Sequence, residues 1–75
     1  MKKLTSSEKD FAIACITMKA SACKKFNDSN ELWMIKGAHI DGIWTGFISG
    51  GFEFDNDFDN ELKKAWDDAS FIEYK

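Results

Sequence analysis

Few groups in this chain could do chemistry. They are two thiols, Cys15 and Cys23, one imidazole, His39, and a run of acids at every second position, Glu53, Asp55, Asp57, Asp59 and Glu61. The run lies in "GFEFDNDFDNEL", residues 51–62, where the acids alternate with Phe52, Phe54, Asn56, Phe58 and Asn60. A thiol and an imidazole act as nucleophile and base only when they meet in space. Neither cysteine is near His39 along the chain, so a dyad needs Cys15 or Cys23 to approach it through the fold. The ordinary reading is two small buried thiols on a helix and one strand histidine. A structural zinc site needs four ligands at close spacing, which two cysteines eight residues apart do not supply.

Calcium is the next chemistry to test. In "DNDFDNELKKAW", Asp55, Asp57 and Asp59 sit at positions 1, 3 and 5 of an EF-hand loop. Position 6 is Asn60, where that loop needs glycine, and position 12 is Trp66, where it needs a bidentate glutamate. The three glycines of "TGFISGG" do not form a phosphate-binding loop either, since the GxxxxGK[ST] pattern is missing. No metal or cofactor is therefore expected, and the chain reads as non-enzymatic. Catalysis through Cys15 or Cys23 is the weakest of the readings.

Two readings of the carboxylate row remain. In the structural one, acids on the outer side of an edge strand deter aggregation and acids in the first turn of a helix favour its dipole. In the recognition one, alternate side chains of an extended segment recur about every 6.6–6.8 Å. That spacing is similar to the phosphate repeat of a nucleic-acid strand, so the row would fit a basic groove on another protein. Asp67, Asp68 and Glu73 extend the same negative surface.

The elements that would position these groups follow from capping, turn and periodicity signals. "TSSE", residues 5–8, has capping-box spacing, with Thr5 and Glu8 as its reciprocal partners. A helix should follow to about Phe26, with Phe11, Cys15, Met18, Ala22 and Phe26 on one face, widened by Ala12, Ile16 and Cys23. Lys19 falls inside that stripe and can reach water along it. "NDSN", residues 27–30, closes the helix. Two apolar runs, 31–40 and 43–49, are divided by Asp41-Gly42, a hairpin signal. A two-residue type I′ turn there pairs Ile40 with Ile43, His39 with Trp44, Gly37 with Gly46 and Ile35 with Ile48. One sheet face then carries Trp33, Ile35, His39, Trp44 and Ile48. The other carries Leu32, Met34, Ala38, Ile40, Ile43 and Phe47, interrupted by Lys36. Gly50-Gly51 signals a second turn, with "FEFDN" returning as a third strand.

A final helix is expected from near Asp57 to about Ala69, with Phe58, Leu62, Ala65, Trp66 and Ala69 as its apolar stripe and Asp57 or Asp59 as its cap. Asp59–Lys63, Lys63–Asp67 and Lys64–Asp68 are spaced to pair along it. "SFIEY", 70–74, reads either as a last helical turn or as a short strand. The expected fold is thus α+β: an N-terminal helix, a three-stranded antiparallel meander and a C-terminal helix (α-β-β-β-α), with the helices on one sheet face. Both hairpin faces are largely apolar, and one helical layer covers only one of them, which leaves the other as a contact surface.

Composition bounds the rest. Seventy-five residues make a single domain, 1–75, with a thin core. Seven Phe, three Trp and one Tyr are too many large side chains for a disordered tail. All ten basic residues are lysine, and arginine, proline, valine and glutamine are absent. Without arginine, the preferred residue for bidentate phosphate and guanine contacts, direct nucleic-acid binding is not expected. The Lys, Asn, Asp, Ile and Phe bias suits an AT-rich genome, such as that of many phages or low-GC bacteria. The net charge of −3 is unevenly spread: residues 1–52 carry +2 and residues 53–75 carry −5. "LTSSEKDF" after Lys2 and Lys3 is not the apolar stretch of a signal peptide, and no run is long enough to cross a membrane. The two cysteines then read as reduced thiols in a cytoplasm.

Size, acidity and the expected element order resemble the general run of small phage-encoded inhibitors, including anti-CRISPR and anti-restriction proteins that mimic DNA. The function expected from these observations is a small acidic protein-binding module, an inhibitor or modulator encoded by a mobile element, docking on a basic surface of a host protein. Glu53, Asp55, Asp57, Asp59, Glu61, Asp67 and Asp68 would meet that surface, with Trp33 and Trp44 as apolar anchors. The alternative is a small homo-oligomer, a homodimer at its simplest, that holds a small ligand between subunits near Lys19, Lys36 and His39.

Overall fold

The computed structural model describes residues 2–26 and 29–69. Its element order is α1 (Ser6–Phe26), α2 (Ser29–Ser49) and α3 (Asn56–Asp68). Among the described residues there is no sheet, so the chain is a three-helix bundle and the expected α-β-β-β-α order, with helices on one sheet face, is overturned. The one β-bridge among the described residues is parallel, between Lys2 and Phe52, and joins no two segments of the expected meander. Lys2 donates to the Gly51 carbonyl at 2.9 Å, and Glu53 donates to the Lys2 carbonyl at 2.8 Å. Residues 70–74, expected as a last turn or a strand, lie outside the described residues.

The start of α1 follows the expected capping box. Glu8 Oε1 accepts from the Thr5 backbone at 2.9 Å and from its hydroxyl at 2.7 Å, while Glu8 donates its N–H to Thr5 Oγ1 at 3.3 Å. The buried face takes the expected widening residues Ala12 and Ile16 but not the centre of the expected stripe. Ala12, Ile16 and Ala20 are buried, whereas Phe11 and Met18 are each 72% exposed. At 3.6 residues per turn the two faces differ by about a third of a turn. The small Ala12 and Ala20 admit α3 closely, and its larger Phe58, Leu62 and Trp66 fill the space they leave.

The largest correction is α2, which runs unbroken through the Asp41-Gly42 pair. A type I′ turn requires positive φ at both central residues, and among the described residues only Gly51 has one. The segment has a helical period as well as a strand-like one. Leu32, Ile35, Lys36, His39, Ile40, Ile43, Trp44 and Phe47 follow steps of three, one, three, one, three, one and three. Those eight are the residues of 31–49 that are buried or half-buried, and the other positions are exposed. One stripe buried against α1 and α3 outweighs the local preference of a dipeptide.

Gly50-Gly51 ends this helix rather than turning a hairpin. Phe52 donates to the Phe47 carbonyl at 3.0 Å and Gly51 to the Ile48 carbonyl at 3.1 Å. This is the Schellman pattern, with Gly51 in the left-handed position at φ 89°. The hydrophobic contact that accompanies the motif is present, the Phe47 and Phe52 rings lying 5.8 Å apart.

Asp55 caps α3 by accepting the Phe58 N–H at 3.0 Å, two residues before the expected Asp57 and four before Asp59. The expected apolar stripe does form. Phe58, Leu62 and Trp66 are buried, and Ala65 and Ala69 pack against the core. The last turn of α3 has no basic residue of its own. Lys24 of α1 supplies the cation, donating to the carbonyls of Trp66, Asp67 and Ala69 at 2.7, 3.1 and 3.0 Å.

Candidate functional site

The helical α2 changes what each side of it can do. Its buried stripe holds Ile40 and Trp44, and its outward side presents Trp33, Met34 and Ile48. Together with Phe54 from the connector, these line a groove of about 800 Å³ between α2 and the start of α3. Trp33 is 78% exposed, while Met34, Ile48 and Phe54 are each more than half exposed.

Trp44 forms the groove's fixed floor. It is 5% exposed, so it is not the free anchor that a hairpin would have presented. Its Nε1–H donates to Asp59 Oδ1 at 2.8 Å. Its ring packs on Phe54 at 4.6 Å and meets Phe58 edge-on at 6.0 Å. Asp59 is itself only 8% exposed, and its other oxygen receives Lys63 Nζ at 2.9 Å. A carboxylate here is stable because both oxygens have donors. Lys36 Nζ reaches Asp67 Oδ1 at 2.8 Å and ties α2 to α3 across one end of the groove. Asp67 thus turns to Lys36 rather than to the expected Lys63.

The five alternating acids do not form one row. From Asn56 onward the backbone is helical, so the repeat of an extended strand does not apply there. Asp55 is engaged as the cap of α3 and lies 3.6 Å from Lys9. Asp59 is engaged beneath Trp44. Glu53 is half-buried in the connector, beside a depression that also holds Lys3 and Lys9. What survives is a different grouping. Asp57, Glu61 and Asp68 follow steps of four and seven, share one outward stripe of α3 with Lys64, and are all exposed. The helical period of residues 57–68 was the signal for this grouping, and the alternation of the opening acids hid it.

Two carboxyls in this region are held below their ordinary range. Asp55 is lowered chiefly by the Phe58 N–H it accepts, with Lys9 adding to it. Glu8 is lowered by the backbone N–H of Thr5 and then by its hydroxyl. Both shifts come from helix capping and neither marks a reactive acid.

The fold does bring one sequence-distant pair together. Cys23 Sγ of α1 lies 4.0 Å from His39 Nε2 of α2. The His39 ring stacks on Trp66 of α3 with centroids 5.9 Å apart. Cys15 and Cys23 are both unbridged. Among the described residues no group of three or more His, Cys, Asp or Glu side chains is placed to hold a metal ion, and no helix is long and apolar enough to cross a membrane.

Comparison with protein families, with characterised proteins and with solved structures finds no match to this chain. With the element order overturned, its resemblance to small phage-encoded inhibitors rests on size and charge.

Proposed function

We propose that this chain is a non-enzymatic protein-binding module that docks on a basic surface of another protein, acting as an inhibitor or modulator encoded by a mobile element. The observation that carries the reading is Trp33, almost fully exposed at the edge of a groove rimmed by Met34, Ile48 and Phe54. Large apolar side chains gathered around a concavity are costly to leave in water and favour contact with a partner. Tryptophan is also the residue type that most often anchors such contacts. The sign of the partner's charge is argued from α3. Asp57, Glu61 and Asp68 are exposed on one stripe, in the part of the chain that carries −5. Such a field speeds encounter with a cationic surface and disfavours an anionic one.

The test is affinity capture from the native host at low and high salt, with bound proteins identified by mass spectrometry. A D57K/E61K/D68K variant with unchanged circular dichroism should lose the partner that the parent captures at low salt. Equal capture by the two proteins leaves those acids with a role in solubility only.

A second reading is favoured by a separate feature. Phe11 and Met18 are each 72% exposed on α1, away from the α2–α3 groove. They support self-association through α1, with a small ligand held between subunits near Lys19. Light scattering discriminates, because an apolar dimer persists at high salt whereas a charge-steered complex weakens.

A further inference from the structure

The Cys23–His39 contact lies at the margin of the core and is not part of the proposed docking groove. We propose that it is a thiol-exchange site, at which Cys23 reacts with small disulfides and His39 accepts the thiol proton. The geometry carries the argument. The Sγ–Nε2 separation of 4.0 Å is within the reach of a sulfur hydrogen bond, and the two residues come from different helices, sixteen positions apart. Nucleophile–base pairs are commonly this loose before a substrate binds. His39 is held from its other side by the stacked Trp66 ring, so the imidazole has a third group that orients it. Cys23 and His39 are both half-buried, so neither residue is sealed in the core.

Lys19 and Lys24 flank Cys23 along α1, and Lys36 lies one turn before His39 on α2. Lys19, one turn before Cys23 on α1, shares a surface depression of about 270 Å³ with His39 and Cys15. On the other side of Trp66, Lys24 is bound to the carbonyls ending α3, and Lys36 of α2 is paired with Asp67 of α3. Cys15 is the internal comparison, since it is an equally unbridged half-buried thiol on the same helix.

In the proposed step, His39 carries its own proton on Nδ1 and takes the Cys23 proton on Nε2. The Cys23 sulfur attacks one sulfur of a disulfide RS–SR. The new S–S bond forms as the old one breaks, and the departing RS⁻ takes the proton back from the imidazolium. The products are a Cys23 mixed disulfide and RSH, so Cys23 is oxidised as half of the reagent is reduced.

A free thiol is only a few per cent ionised at pH 7, and nucleophilicity falls as ionisation is made easier. A working base partner should therefore raise the rate about 10-fold at that pH. The experiment uses the full chain as C15S, which keeps Cys23, and as C23S, which keeps Cys15. Each is reacted with 4,4′-dithiodipyridine and with oxidised glutathione under native conditions. Cys23 should react about 10-fold faster than Cys15 at pH 7, and H39F in the C15S background should bring it to the Cys15 rate.

The pH profile of C15S is the second readout, and it stands even if H39F fails to fold. Its rate should rise at lower pH than that of C23S, the variant that keeps Cys15. Equal rates for the two thiols, an H39F rate like that of the parent, or a C15S profile that coincides with that of C23S would overturn the proposal.

Discussion

Asp59 shows how a residue's role is set by what the fold places beside it. In the sequence it is one acid of five. In the bundle it is nearly buried and accepts the Trp44 indole N–H while holding Lys63. Trp44→Phe keeps most of the ring packing but leaves a buried carboxylate without one of its donors. The expected cost is about 1–3 kcal/mol, measured by urea denaturation followed at 222 nm; a loss well under 1 kcal/mol would mean that water replaces the indole. The capping acids give a pH prediction. Asp55 and Glu8 titrate lower in the folded chain than their ordinary values of 3.8 and 4.5. Their contribution to stability is therefore complete above those values and is lost as pH falls through the lowered ones. Thermal midpoints should hold from pH 7 to about 5 and decline below about 4. Asp55→Asn, which still caps but does not ionise, should decline less steeply than the parent. The capping box at Thr5 and Glu8 was legible from spacing alone. The cap at Asp55 was not, because Asp57 and Asp59 have the same residue type and only the backbone geometry distinguishes the three.

The three helices were legible to different degrees. The buried face of α3 was readable because Phe58, Leu62, Ala65, Trp66 and Ala69 fit a helical period and no other. On α1 the helix was readable, and so were Ala12 and Ile16 on its buried side, but the centre of that side was not. Size favoured Phe11 and Met18, while close packing against α3 favoured the smaller Ala12, Ile16 and Ala20. The segment forming α2 fits both periods, and Asp41-Gly42 weighed the reading toward a hairpin. The glycines now separate the two structures. A Cβ added at Gly42 or Gly46 meets nothing within 4 Å, and neither residue has positive φ. Mid-helix glycine costs about 0.5–1 kcal/mol relative to alanine. Gly42→Ala and Gly46→Ala should therefore each stabilise the protein by that amount in denaturant unfolding. Gly51→Ala, at φ 89°, should destabilise it by about 1 kcal/mol. A hairpin would give the opposite sign at Gly42, since a type I′ turn needs positive φ there.

At the scale of the molecule, a thin core of eight buried hydrophobic side chains among the described residues coexists with large apolar residues left at the surface. The exposed apolar surface at the groove lies on α2 and the connector rather than on a hairpin face. Trp33 remains exposed, Trp44 has moved into the floor beneath it, and the negative surface has contracted to Asp57, Glu61 and Asp68. That rearrangement could not be read locally, because it depends on which side of α2 the other two helices cover. In the resulting account, apolar contact through Trp33 supplies most of the affinity and the acids of α3 supply approach and orientation. The most direct test is calorimetric titration of the captured partner with the parent and with Trp33→Ala. Loss of a tryptophan anchor is worth about 2 kcal/mol or more, so the account predicts a dissociation constant raised about 30-fold with circular dichroism unchanged. A variant that binds as tightly as the parent would contradict it.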